Sequence, residues 1–85
     1  MNWTTNACYL NEGTTLINKA YMKITDTTTG ATYEHVYACD PTLAAAYDGT
    51  TCSDADVVTL VKDTLGPAAV ATEEGKASLV LRIFP

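Results

Sequence analysis

Basic side chains are scarce in this chain. Lys and Arg number five against ten Asp and Glu, with a single histidine and a net charge of −5. Affinity for a phosphate backbone rests on cationic side chains, so this balance argues against a nucleic-acid partner and against an anionic membrane surface. Apolar runs are short as well. None approaches the ~18 residues of a bilayer span. The opening stretch MNWTTNACYLNEG has neither the basic region nor the apolar region of a signal peptide. Synthesis and folding in a cytoplasm are therefore expected, with Cys8, Cys39 and Cys52 as thiols by default.

The signatures of chemistry are missing too. The five glycines stand singly, which excludes a phosphate-cradling loop. No C-x-x-C or H-x-x-x-H spacing suggests a metal, and no G-x-S-x-G surrounds Ser53 or Ser78. With one histidine and no converging pair of carboxylates, neither nucleophilic nor paired-acid hydrolysis has its partners. The expectation is a protein that is not an enzyme, with no catalytic residue, cofactor or metal site.

What is present is apolar and strand-forming. Hydrophobic residues make up 47% of the 85, and there are 15 threonines and 12 alanines. That suits one small globular domain, residues 1–85, near the size at which a single core suffices. Trp3–Leu10 reads as a first strand with Trp3, Thr5, Ala7 and Tyr9 on one face. Asn11-Glu12-Gly13 reads as a turn, and Thr14–Thr25 as the longest strand, with Leu16, Ala20, Met22 and Ile24 sharing a face. DTTTG, Asp26–Gly30, predicts a hairpin returning through Ala31–Cys39. Its register follows from burial: with Asp26 opposite Ala31, Lys23 meets Glu34 and Tyr21 meets Val36. The other face then pairs Ile24 with Tyr33, Met22 with His35 and Ala20 with Tyr37. A slip by one residue would set Glu34 against buried Met22.

Asp40-Pro41 is a helix start, with a short helix over Thr42–Tyr47 ending at Asp48-Gly49. Ser53 predicts the N-cap of a longer helix whose apolar stripe is Val57, Val58, Val61 and Leu65, stopped by Gly66-Pro67. Ala68–Thr72 and Lys76–Phe84 read as a closing hairpin around Glu73-Glu74-Gly75. The expected fold is α+β: a mostly antiparallel sheet, made of a three-strand meander plus that hairpin, with one short and one longer helix packed on it.

Three side-chain groupings bear on function. His35 and Cys39 share a strand face but lie roughly 13 Å apart along it, too far to share a zinc ion. His35 is expected as a hydrogen-bonded core residue. Cys39 and Cys52 bracket the short helix, and a disulfide between them would need an oxidising setting, so two buried thiols are preferred. Lys19, Tyr21 and Lys23 alternate on the outer face of the long strand. Their chemistry is that of a stacking platform, but Glu34 and the net charge favour a solvated sheet face.

The function expected is a non-enzymatic structural or interaction module, a small component of a larger protein assembly such as a virion. Its partners are then proteins, including copies of itself. The alternative is a free acidic binder or inhibitor that docks on a basic protein surface through Asp54, Asp56, Asp63, Glu73 and Glu74. Trp3, Tyr21, Val80, Arg82 and Phe84 are the expected interface residues, because 77–84 is apolar on both faces with one charge and would be a hazard as a bare edge.

Overall fold

A computed structural model describes residues 1–79 of the chain. Strands β1 (Asn2–Leu10), β2 (Ile17–Thr25) and β3 (Thr32–Ala38) form an antiparallel meander in the order β1-β2-β3. Helices α1 (Pro41–Ala44), α2 (Asp54–Leu65) and α3 (Pro67–Ala77) follow. They bury one face of the sheet, confirming a small α+β fold.

The β2–β3 register is the expected one at every position. Tyr21 lies opposite Val36, Met22 opposite His35, Lys23 opposite Glu34 and Ile24 opposite Tyr33. The connecting turn is closed by the Asp26 amide donating to the Ala31 carbonyl at 2.8 Å, and Asp26 Oδ1 accepts from Thr28 N at 2.8 Å. Gly30 ends the turn at φ 76°, a left-handed conformation that glycine adopts without strain. On the helix side of β2 the residues Ile17, Ala20, Met22 and Ile24 are at most 1% exposed. They form the floor of a core completed by Trp3, Tyr37, Cys39, Ala44, Val57, Leu60, Val61 and Ala77.

β1 departs from simple alternation. Its pairing with β2 shifts between Thr5 and Ala7, so Asn6 is an extra residue that reverses which side chains face inward. Trp3 points into the core before this bulge, and Cys8 and Leu10 pack against the core after it, leaving Ala7 and Tyr9 outside. The expected common face of Trp3, Thr5, Ala7 and Tyr9 is therefore split.

The helix starts follow their caps. The Asp40 side chain accepts from Thr42 N with Pro41 in the first turn. Ser53 and Asp56 form a reciprocal capping box, with Asp54 and Asp56 at the positive helix end. Leu60, absent from the expected stripe, is 1% exposed, whereas Val58 and Leu65 are only partly buried.

The closing hairpin is corrected over residues 67–77, which form α3. Pro67 is pre-organised for a first helical turn, and Ala68, Ala69, Ala71, Glu73, Glu74, Lys76 and Ala77 are strong helix formers. Their summed propensity outweighs the turn signal of Gly75, an exposed helical position with nothing within 4 Å of a Cβ. The remainder of the expected last strand, from Val80 to Phe84, lies outside the described residues.

Gly49 is where the loop before α2 closes on the sheet. Its amide donates to the Thr15 carbonyl at 2.8 Å. A Cβ there would lie 2.7 Å from that oxygen and would overlap Leu10 Cδ2. Gly49→Ala is expected to destabilise by about 1–3 kcal/mol through overpacking. Leu60→Ala should destabilise by about 2–5 kcal/mol through its cavity, and Ser53→Ala by about 1 kcal/mol through loss of the cap. Thermal melts that rank Ser53→Ala as more damaging than Leu60→Ala would contradict this packing.

Candidate interaction surface

All three helices lie on one face, and among the described residues nothing covers the other face of the sheet. Register defines its rows: Thr4–Lys23–Glu34, Ala7–Tyr21–Val36 and Tyr9–Lys19–Ala38. Tyr9 is 45% exposed and Val36 41%. Ala7, Tyr21 and Val36 thus make an apolar row across the middle, continued by Tyr9 and Ala38 and bordered by Lys19, Lys23 and Glu34. The Tyr21 hydroxyl donates to Glu34 Oε2, and that bond raises the phenol's pKa. The Lys19 ammonium sits 5.1 Å from the centroid of the Tyr9 ring. Both tyrosines are thereby held by neighbouring charges on the surface.

Of the expected interface residues, Tyr21 lies on this face. Trp3 does not: it is buried under α3, its indole N–H donates to Glu74 Oε2 at 2.8 Å, and Lys62 lies 5.4 Å from its ring centroid. Val80, Arg82 and Phe84 lie outside the described residues. Tyr9, Ala7, Val36 and Ala38 were not among the expected residues. Val36 was within reach of the hairpin register, which sets it beside Tyr21. Tyr9 was hidden by the bulge at Asn6.

Under α3 the sheet carries an aromatic ladder of Tyr33, His35 and Tyr37. His35 is on the helix side, as expected, but it is exposed because β3 is an outer strand; this corrects its expected place as a core residue. The ring stacks on Tyr33 at 5.8 Å and meets Tyr37 edge-on at 4.9 Å. Cys39 is buried, and burial, with Cys8 nearby, pushes its thiol pKa up. Burial does the same to Cys52. Raised thiols are poor nucleophiles at neutral pH. Among the described residues no three of His, Cys, Asp or Glu gather in a way that could hold a metal ion, and no helix is long and apolar enough to cross a membrane. A depression of about 480 Å³ where the helices meet is lined by Leu43, Lys62, Asp63, Gly66, Pro67 and Val70, with no serine, cysteine or histidine among them.

The acids have local partners. Asp54 Oδ1 accepts from the Thr5 amide at 2.6 Å. Asp56 closes the capping box. Glu73 pairs with Lys76 at 2.5 Å, and Glu74 holds Trp3. The Glu73 carboxyl is drawn below its ordinary value of 4.5 chiefly by Lys76, against the opposing effect of burial. The Tyr37 hydroxyl is buried and, among the described residues, has no partner in hydrogen-bonding geometry. Burial and the neighbouring Glu73 carboxylate together drive its pKa far above the ordinary 10.0.

These two shifts bound a pH window. A depressed acid stabilises the fold above its ordinary pKa and loses that contribution as pH falls through the folded value. A raised phenol stabilises below its ordinary pKa and loses the contribution as pH rises. The melting temperature is expected to fall below about pH 4.5 and above about pH 10, from the ordinary values of Glu73 and Tyr37. Glu73→Gln should flatten the acid limb. Tyr37→Phe should flatten part of the alkaline limb with little change at pH 7, since the hydroxyl it removes has no bond to lose. Unchanged limbs in both variants would contradict these assignments.

No family model, curated protein or solved structure matches this chain.

Proposed function

We propose that the protein is a non-enzymatic interaction module, a small structural component of a larger protein assembly, with the open sheet face as its contact surface. The observation that carries this reading is the row Ala7–Tyr21–Val36 with Tyr9 and Ala38 beside it, an apolar and aromatic centre with a charged border. Interface cores are enriched in tyrosine and ringed by polar groups in this way.

The reading as a free acidic binder draws less support. Asp54, Asp56, Glu73 and Glu74 are engaged by backbone amides, Lys76 and Trp3, which leaves Asp63 alone of that set without such a duty among the described residues. The size of the open face favours assembly as well. Three strands spaced about 4.8 Å apart give a narrow face, well short of the ~800 Å² per partner of a standard stable pair. A patch of that size binds weakly in isolation and firmly where several contacts act together. Copies of this chain and other proteins of the same assembly, a virion among them, are the partners that suit it.

The test is native mass and light scattering on the wild type and on Tyr21→Ser with Val36→Lys. The wild type is expected to associate as concentration rises, and the double variant to stay a folded monomer. A wild type that is monomeric at high concentration, or a folded variant that associates unchanged, would overturn the reading.

A further inference from the structure

The fold gathers cysteines that are far apart in the chain. Cys8 packs against the core from β1, Cys39 lies in the core just past β3, and Cys52 packs against it from the loop before α2. The Asn6 bulge sets Cys8 on the helix side of its strand, where its sulfur lies 4.0 Å from the Gly49 carbonyl. Gly49 is fixed in place. Its amide donates to the Thr15 carbonyl at 2.8 Å, and a Cβ on it would overlap Leu10 and Ile17. The chain then makes one helical turn, in which the Thr51 and Cys52 amides both donate to the Asp48 carbonyl, at 3.2 and 2.9 Å. Residues three apart on such a turn are neighbours. Cys52 therefore lies beside Gly49, and so beside Cys8.

We propose that Cys8 and Cys52 are a redox pair, thiols under reducing conditions and a disulfide in the presence of a small-molecule disulfide as oxidant. Span excludes Cys39 as the partner of Cys8. β2 lies between them: Cys8 is opposite Ala20, Ala20 is opposite Tyr37, and Cys39 is two residues further on. Two strand spacings are about 10 Å, whereas bridged cysteines need Cα atoms within about 7 Å. Cys39 is also only 7% exposed, and its amide is held by the Asn18 carbonyl at 2.9 Å. Cys8 and Cys52 are each partly exposed, within reach of a small oxidant. Burial raises the Cys52 thiol pKa, and so does the charge of Cys8, a further sign that the two sulfurs are close. The pair differs from Cys39–Cys52, which sequence proximity alone would join.

With glutathione disulfide as oxidant the step balances. One thiolate of the pair attacks a glutathione sulfur, the glutathione S–S bond breaks, and one glutathione thiolate leaves. The second thiolate of the pair attacks the protein sulfur of that mixed disulfide, forming the Cys8–Cys52 bond and releasing the other glutathione. The two protein thiols lose two protons and two electrons, and the two glutathione thiols gain them. The bond ties β1 to the turn that leads into α2, closing a loop that contains β2, β3 and α1. It therefore acts mainly by constraining the unfolded chain. It is independent of what the open sheet face binds.

Oxidation of the full chain with glutathione disulfide, followed by intact mass and peptide mapping, tests it. Cleavage before aspartate separates all three cysteines, because Asp26, Asp40 and Asp48 stand between them. The folded chain is expected to lose two hydrogens and to give the Cys8–Cys52 link at least about tenfold over any other pair. The chain in denaturant is the reference, since there loop length alone favours Cys39–Cys52 by about sixfold. Cys39→Ala should keep the folded-state link, and Cys8→Ser should lose it and carry glutathione adducts instead. The linked protein should melt about 10 °C above the reduced one, and reductant should reverse the shift. A folded chain that joins Cys39 to Cys52, or that takes up glutathione without an internal link, would overturn the proposal. So would a link between two chains, or a linked protein that melts below the reduced one.

Discussion

β2 is a strand with two chemically opposite faces, and the rest of the molecule is arranged around keeping them apart. Ile17, Ala20, Met22 and Ile24 are removed from water, whereas Lys19, Tyr21 and Lys23 stand on the other side. Because the side-chain period of a strand is two, one register satisfies both faces and a slip of a single residue satisfies neither. Once β2 is fixed between β1 and β3, the helices have one apolar surface to cover. The open face is then a consequence of covering it.

How the helices attach follows from the same division. α2 contributes Val57, Leu60 and Val61 to the core and is tied to the β1 edge by Asp54 at Thr5. α3 is attached by polar groups as much as by packing. Trp3 to Glu74, Glu73 to Lys76 and the Tyr37 hydroxyl beside Glu73 form a partly buried cluster in which each charge has a neighbour of suitable sign. Unpaired, those carboxylates would oppose burial; Glu74 ties the helix to β1 through Trp3, while Glu73 is paired within the helix by Lys76.

The parts of this fold that were legible in the sequence rest on local, discrete signals. The hairpin register was readable because one alternative buries Glu34. The starts of α1 and α2 were readable because Asp40-Pro41 and Ser53 are caps with a mechanism. Tyr21 could be placed on the outer face for the same reason as the hairpin register. What was not legible depends on single-residue irregularity or tertiary context. An extra residue at Asn6 leaves no mark in an alternating pattern, yet it moves Tyr9 to the open face and separates it from Trp3. Leu60 is buried because α2 packs against both the sheet and the neighbouring α3, which the helical stripe alone does not reveal. In α3 the Glu73-Glu74-Gly75 triplet resembles a turn, and helix propensity summed over Ala68 to Ala77 prevails. His35 has the predicted orientation without the predicted burial, because orientation is set by register and burial by what covers an outer strand.

One face of the sheet belongs to the core, and the other is the proposed contact surface. Solvent paramagnetic relaxation, measured by NMR at low and high protein concentration, addresses this division most directly. In dilute protein the side-chain signals of Tyr9, Tyr21 and Val36 should broaden strongly, whereas those of Met22 and Ile24 should not. On concentration the first three should become protected as the face is covered, with no change at Met22 and Ile24. Tyr21 and Val36 signals that broaden equally at every concentration, or that are protected already in the dilute monomer, would contradict the account.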